Sequence, residues 1–244
     1  MPLNTFHVAF ASNDAYVPYL AVTLQSLLSY QVQVEGREWH VHVLTDGVSE
    51  GNIRMLEEIV GNRADFQLEV HVVSTSSFSE LPDVGYSIYT YLRFLLPTVL
   101  SSVERVLYLD VDLLVHADIS ELFLAPLDTA IAAVPEFWNK KHRKKWQLPE
   151  DTFYFNAGVL LMNLSMWREK DYAKKLIGWC EAHQKQLSFP DQDALNVVLQ
   201  EDVSWLPLRY NVMYNHLERT AYYKKARFQS EIGECLYQIG RAHV

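Results

Sequence analysis

Apolar runs alternate with amphipathic stretches through the first half of the chain. Thr5–Ala11 is apolar enough for a buried strand, and the polar Asn13-Asp14 closes it. Pro18 stands where a first helical turn tolerates proline, and Leu20, Leu24, Leu27 and Leu28 follow at helical spacing. Trp39–Thr45 predicts a second strand, Ser49–Val60 a helix with Ser49 as its N-cap, and Phe66–Val73 a third strand. A helical pattern over residues 89–96 stops at Pro97, and Arg105–Asp110 predicts a fourth strand. Beyond it the pattern is more mixed. Ala130–Val134 and Tyr154–Asn163 read as strands, Asp171–Gln186 as a helix and Gln192–Leu199 as a shorter one.

Strands alternating with helices at this spacing predict an α/β domain with a mostly parallel, doubly wound sheet. There is no internal repeat and no linker, so one domain is expected. In open α/β sheets ligands gather outside the carboxyl ends of the strands. Two turns therefore matter most, Ser12–Tyr16 after the first strand and Asp110–Asp112 after the fourth.

Composition narrows the classes. At 244 residues the chain is long enough to bury a sizeable core. A hydrophobic share of 49% with 21% charged residues excludes a disordered chain. The formal charge of −9 (21 basic minus 30 acidic residues) argues against non-specific nucleic-acid binding, which rests on clustered Lys and Arg. Cys180 and Cys235 are too few for a disulfide framework or a zinc site and predict reduced thiols. No Lys or Arg precedes Arg37, so the basic region of a signal peptide is missing. Aspartates break the longest apolar run, Val106–Val115, well short of the roughly 18 residues a membrane span needs. These features predict a cytoplasmic protein whose membrane contact, if any, is peripheral and at the inner face.

Two aspartates, Asp110 and Asp112, interrupt a run that otherwise reads as buried. A carboxylate placed there without a partner is costly. If the segment is extended, residues i and i+2 share a side and the pair converges on one hard cation, with Mg²⁺ or Mn²⁺ suited to oxygen ligands. The simpler alternative is a pair of turn aspartates at a strand end. Two later segments add weight. Asn156-Ala157-Gly158 leads a strand with small residues that let a ligand approach the backbone, and Asn156 offers both donor and acceptor. Asp191, Gln192 and Asp193 stand at a helix start, where Asp191 alone reads as an N-cap.

Together and in this order, the segments VAFASNDAYVPYLAVTLQSLL, YTYLRFLLP, RVLYLDVDLLV, FYFNAGVLLMNLSMWR and PDQDALN resemble glycosyltransferase family 8. That family includes bacterial lipopolysaccharide galactosyl- and glucosyltransferases and glycogenin. The resemblance covers Thr5–Tyr214. It implies a GT-A fold, a UDP-sugar donor (UDP-glucose or UDP-galactose), Mn²⁺ with Mg²⁺ as an alternative, and transfer with retention to a saccharide or glycolipid acceptor. By position, Ala11, Asn13 and Tyr16 match the uridine-binding turn, and Arg93 matches a basic residue that contacts the donor. Asp110 and Asp112 match the metal pair, with Val111 near the ribose. Asn156 and Ala157 match groups near the donor sugar, and Glu136 stands where relatives carry a donor-sugar acid. Asp191 and Gln192 match the polar pair beneath the anomeric carbon. Gln192 is a neutral amide and a poor covalent nucleophile, which favours front-face displacement over a glycosyl-enzyme.

The family's third metal ligand is a histidine in a C-terminal His-x-x-Gly-x-x-Lys-Pro type segment. After Tyr214 no such segment is found: His216 comes too early and no Lys-Pro follows it. The terminal Ile239-Gly240-Arg241-Ala242-His243-Val244 reads as a translated sequencing adapter that ends at the adapter's own stop codon. The expectation is one GT-A domain over residues 1–238, incomplete at its C-terminus, with 239–244 an artefact. Without Arg241 the charge becomes −10 (20 minus 30). Such a chain would bind metal weakly, with low or absent turnover.

Other features carry plainer readings. The basic run Lys140–Lys145 before Pro149 reads as a solvated loop, or as an acceptor-facing loop drawn to anionic glycolipid. His40 and His42 share a strand face, where a hydrogen-bonded pair is the simpler reading than a metal site. Trp167, Trp179 and Cys180 read as packing residues. Two functional alternatives stay open. LYLDVDLLV alone also resembles the nucleophile motif of haloacid-dehalogenase-type phosphatases, with Asp110 as nucleophile. That motif normally opens its domain, and Leu114 stands where Thr or Val is usual. The other alternative is a UDP-sugar-binding fragment without catalysis.

Overall fold

A computed structural model describes residues 4–78, 81, 87–136 and 140–213. The expected adapter segment and the region after Tyr214 lie outside the described residues, as does Cys235. Seven strands form one sheet: β1 (Thr5–Ala11), β2 (Glu38–Thr45), β3 (Phe66–Val72), β4 (Arg105–Leu109), β5 (Ile131–Pro135), β6 (Phe155–Asn163) and β7 (Val203–Trp205). Their order across the sheet is β3-β2-β1-β4-β6-β5-β7. The pairs β1–β2, β2–β3, β1–β4 and β5–β7 are parallel, and β6 runs against both of its neighbours. The sheet is thus mostly parallel, as the alternation predicted, with one reversed strand.

The helices are α1 (Val17–Tyr30), α2 (Glu50–Gly61), α3 (Leu96–Val99), α4 (Ser120–Leu124), α5 (Lys140–Lys145), α6 (Leu164–Glu169), α7 (Tyr172–His183) and α8 (Pro190–Val198). None of the described helices is long and apolar enough to cross a membrane. Apolar cores lie on both faces of the sheet. On one face Leu20, Leu24 and Leu27 of α1 pack on Phe6, Val8, Trp39 and Val41, all fully buried. On the other, Leu164, Trp167 and Leu176 cover Tyr108, Ile131 and Leu160. Trp39 is packed between Phe6, Phe66 and Phe123, with ring centroids 5.1, 5.5 and 5.7 Å away.

Three local expectations change. Residues Ile88–Leu95 form a 3-10 helix, and Pro97 sits in the first turn of α3. The proline starts a helix because its missing N–H is an orphan there anyway. Ser49 occupies the N-cap of α2 but its side chain makes no capping bond; its backbone N–H donates instead to Asp14 Oδ1 at 2.7 Å. The basic run is helical as α5, not a loop.

Candidate active site

Reversal of β6 brings four strand ends to one edge. β1, β4 and β5 end there, and β6 begins there, with Leu109 opposite Val159 and Pro135 opposite Phe155. Every side chain that the motifs singled out lies on or near this edge, apart from Arg93, which enters from the 3-10 helix below it.

Asp110 is the first residue past β4, and residues 111–112 form a turn. The pair is therefore not extended, and the shared-face argument does not apply. The turn is held from both sides. Asp110 N–H donates to Gly158 O at 2.8 Å. Thr23 Oγ1 of α1 stands 2.6 Å from Val111 O and 2.7 Å from Leu113 O, and Ser26 Oγ accepts from Val115 N–H at 3.0 Å. Asp110 is half-buried and Asp112 exposed.

Arg93 is 3% exposed, and each of its three nitrogens makes a hydrogen bond. Its Nη2 donates to Asp110 Oδ1 at 3.0 Å, its Nη1 to Ala157 O at 2.5 Å, and its Nε to Thr90 O at 2.9 Å. Nε also lies 3.2 Å from Asp191 Oδ2, and the guanidinium sits 4.2 Å over the Tyr108 ring. Burial alone would lower its pKa, but Asp191, Tyr108 and Asp110 outweigh it and hold the pKa above the ordinary arginine value. Burial raises both carboxyl pKa values; Arg93 opposes this at each, while Asp112 adds to the rise at Asp110 and Asp110 to that at Asp191. The resemblance implied a basic donor contact at Arg93. In this structure the side chain holds two carboxylates and two backbone carbonyls at the edge where that contact is expected.

A second set of bonds joins the residues at the starts of β6 and α8. Gln192 Oε1 accepts from Ala157 N–H at 3.0 Å and from Asn156 Nδ2 at 3.2 Å. Asn156 Nδ2 also lies 3.2 Å from Glu136 Oε1, and Asn156 Oδ1 accepts from Gly158 N–H at 2.8 Å and Asn211 Nδ2 at 2.9 Å. Glu136, Asp191 and Gln192 are all buried. Asp191 is not the N-cap of α8, which is Phe189. The helix start is bound by Asp193, whose Oδ2 accepts from Ser188 and Phe189 N–H at 2.9 and 3.1 Å, while its Oδ1 accepts from Tyr154 OH at 2.6 Å. Asn196 fixes α8 to β6, accepting from Phe155 N–H at 2.7 Å and donating to Phe155 O at 2.9 Å.

At the end of β1, Ala11 is buried, and Asn13 Oδ1 caps a short 3-10 turn by accepting from Tyr16 N–H at 3.0 Å. Tyr16 is 49% exposed, leaving its ring face available to a ligand. This turn and the Asp110 turn follow adjacent parallel strands, so they share one mouth.

The carboxylates suit a hard divalent cation. Arg93 and Tyr108 OH (3.1 Å) occupy Asp110 Oδ1. Oδ2 lies on the side where Gly158 carries no Cβ. The charge of Asp112 bears on Asp110, a repulsion that a cation would relieve. Among the described residues no third His, Cys, Asp or Glu joins the pair as a ligand group. The region expected to supply or lack that ligand lies outside the described residues.

Tyr108, Tyr154, Gly158, Asp193, Asn211 and Thr23 were not singled out for these roles. Gly158 had a signal, since its small size was read as room for a ligand; the space above it is taken by Asp110. The simpler readings hold elsewhere. Trp167 is buried with Nε1 donating to Ala130 O at 3.0 Å, and Trp179 stacks on His183 at 4.3 Å. Cys180 is fully buried and burial pushes its thiol pKa up. On α5, Arg143 donates to Glu150 O at 2.5 Å and Lys145 to Ser188 Oγ at 2.8 Å, while Lys141 and Lys144 are exposed.

A family model, Glycosyl transferase family 8, matches residues 7–234. A putative glycosyltransferase of Haemophilus influenzae is 29% identical over 218 residues, covering 85% of this chain and 63% of that protein. The lipopolysaccharide 1,3-galactosyltransferase of Salmonella typhimurium is 26% identical over 222 residues, covering 87% and 65%. The chain thus spans somewhat under two thirds of each of these relatives. Among solved structures, galactosyltransferase LgtC in complex with donor and acceptor sugar analogues superposes with a TM-score of 0.80 at 28% identity, covering 93% of this chain and 82% of that one. The likeness bears out the GT-A fold, and it leaves no place for the phosphatase reading. The chain belongs to glycosyl transferase family 8.

Proposed function

We propose that this chain carries the donor site of a metal-dependent, retaining hexosyltransferase. It moves glucose or galactose from a UDP-sugar to a saccharide acceptor of lipopolysaccharide or another surface glycan. The observation that carries the reading is one unbroken path of hydrogen bonds. It runs from Asp110 through the Arg93 fork to Ala157, and from Ala157 N–H to Gln192 and Asn156. That path ties the carboxylate pair to the polar floor where a donor sugar would lie.

Asp110 and Asp112 hold Mn²⁺ or Mg²⁺, which when bound supplies charge neutralisation for the departing diphosphate. Asn13, Tyr16 and Ala11 receive the uridine, with Val111 beside the ribose. Glu136 and Asn156 accept and donate to sugar hydroxyls. Gln192 lies below the reacting carbon and stabilises positive charge on the ring through its carbonyl dipole. Its oxygen already accepts two N–H groups, which further blunts it as a nucleophile. The bond from the anomeric carbon to phosphate breaks with its electron pair going to UDP. The acceptor oxygen bonds to the same face, and its proton passes to the leaving diphosphate. A cytoplasmic location with peripheral contact at the inner membrane face belongs to the same reading, with exposed Lys141 and Lys144 facing an anionic acceptor.

The test is hydrolysis of a panel of UDP-sugars with Mn²⁺ or Mg²⁺, beside calorimetry with UDP. Metal-dependent hydrolysis of one hexose donor is expected, falling roughly 10²–10³-fold in Gln192→Ala. Metal-dependent UDP binding without turnover supports the alternative of a binding fragment, in which the carboxylate pair lacks its third ligand. Absence of both overturns the assignment.

A further inference from the structure

A second polar cluster lies across β1, β2 and β3, and its His42, Glu69 and His71 stand on β2 and β3, with β1 between them and β4. Strand alternation sends Phe6, Trp39, Val41 and Phe66 into one core. The same alternation sends His7, His40, His42, Gln67, Glu69 and His71 to the opposite face. The cluster is more than the expected pair: His42 bonds to histidines on both neighbouring strands, and His40 instead turns its Nε2 to within 3.5 Å of Glu38.

His42 Nδ1, His71 Nε2 and Glu69 Oε2 form a triangle. The two nitrogens are 3.0 Å apart, and the carboxylate oxygen lies 3.6 Å from His42 Nδ1 and 3.7 Å from His71 Nε2. Ligands at about 2.0–2.1 Å around a tetrahedral ion stand roughly 3.3–3.4 Å from one another. We propose that His42, Glu69 and His71 bind a divalent transition-metal ion of the zinc class, with the fourth position open to solvent.

The surroundings match what such a site needs. His7 Nδ1 lies 3.0 Å from His42 Nε2. With the Nε2 proton given to His7, the Nδ1 lone pair of His42 faces the triangle, as metal-ligating imidazoles commonly arrange. A proton shared between His42 and His71 would satisfy both rings, but Glu69 stands beyond hydrogen-bond reach of each. A cation answers all three groups. Glu69 is exposed on the sheet's edge strand, and a cavity of about 230 Å³ beside His40, His42, Gln67 and Glu69 adjoins two of the three groups. The bound ion would clip β3 to β2. Two nitrogens and one carboxylate oxygen suit Zn²⁺ better than Mg²⁺ or Ca²⁺.

The experiment uses the full chain without a histidine tag, stripped of metal and titrated with Zn²⁺, with Co²⁺ as the spectroscopic probe. One equivalent of Co²⁺ should give the intense visible bands of a tetrahedral site, and Zn²⁺ should displace it. Glu69→Gln on the exposed edge, and His71→Gln, should each weaken Zn²⁺ at least about 10-fold. His7→Gln should weaken it by roughly 10-fold through lost support. Circular dichroism confirms that the variants fold. The bands should survive in the Asp110→Asn, Asp112→Asn double variant. Bands lost in that double variant, unchanged Zn²⁺ affinity in both Glu69→Gln and His71→Gln, or no uptake by the wild-type chain would each overturn the proposal.

Discussion

Gly158 lies so close to Asp110 that a Cβ added there would stand 2.9 Å from the carboxylate Oδ2, and as close to Asn156 Oδ1. The two backbones are also bonded, Asp110 N–H to Gly158 O. The glycine is therefore required by a neighbouring side chain, without any need for unusual backbone angles. Gly158→Ala should displace Asp110, cost about 1–3 kcal/mol of stability, and weaken metal-dependent UDP binding about 10-fold, a loss of roughly 1.4 kcal/mol. Calorimetry beside thermal unfolding checks this. Unchanged UDP affinity would mean that the carboxylate can move aside without consequence.

Arg93 neutralises two buried or half-buried carboxylates at once. Breaking such a buried pair from one side leaves charge uncompensated, at about 3–5 kcal/mol. Arg93→Met should therefore lower the denaturation midpoint sharply. Arg93→Lys keeps the charge but cannot reach Asp110, Asp191, Ala157 O and Thr90 O together. It should recover part of the stability and little of the donor hydrolysis. If lysine restores turnover fully, the fork geometry is not what the site needs.

Thr23 on α1 reaches the carboxylate turn through two carbonyls. Replacement by Val keeps the shape and removes the hydroxyl, whose one proton the Val111 and Leu113 carbonyls share, at about 1–3 kcal/mol. The expected signature is a raised KM for the UDP-sugar with a smaller change in kcat. A fall in stability with donor kinetics unchanged would confine Thr23 to packing.

Acid stability has a local source at the entrance to β3. Arg63 grips Asp65 with Nε at 2.9 Å and Nη2 at 2.8 Å, and donates through Nη1 to Leu28 O and Gln31 O at the end of α1. The hydrogen bond from Arg63 holds the Asp65 carboxyl below its ordinary value. The folded state then binds fewer protons than the unfolded chain around pH 4. The pair's contribution is present above about pH 4 and fades as the pH falls below it. Urea midpoints from about pH 5 to about pH 3 should fall less steeply in Asp65→Asn than in the wild-type chain.

What the sequence disclosed followed periodicity. Strands with period two and the helix after Pro18 are local properties, and the segments that carry the family resemblance are contiguous. Contacts between distant segments were hidden. The Asp-x-Asp pair was visible, but its turn geometry depends on Thr23 and Gly158. Arg93 was visible as a charge, whereas its burial between Asp110 and Asp191 needs β4, α8 and the 3-10 helix in place. His40 and His42 were noticed on one strand, while the partners of His42 come from β1 and β3. Pro97 misled because a proline that ends one helix also begins another.

The late place of β6 and α8 in the chain carries a consequence for how the site assembles. Arg93 and Ala157 are 64 positions apart in sequence, and Asn156 and Gln192 are 36 apart. Contacts this distant repay their loop-closure entropy late in folding. During synthesis the aspartates and Arg93 leave the ribosome well before β6 and α8. Until those arrive, Arg93 has neither the Ala157 carbonyl nor Asp191 to hold, and its charge stays hydrated. The buried charges are therefore paired only once β6 and α8 have docked, so the site closes as one of the last steps of folding.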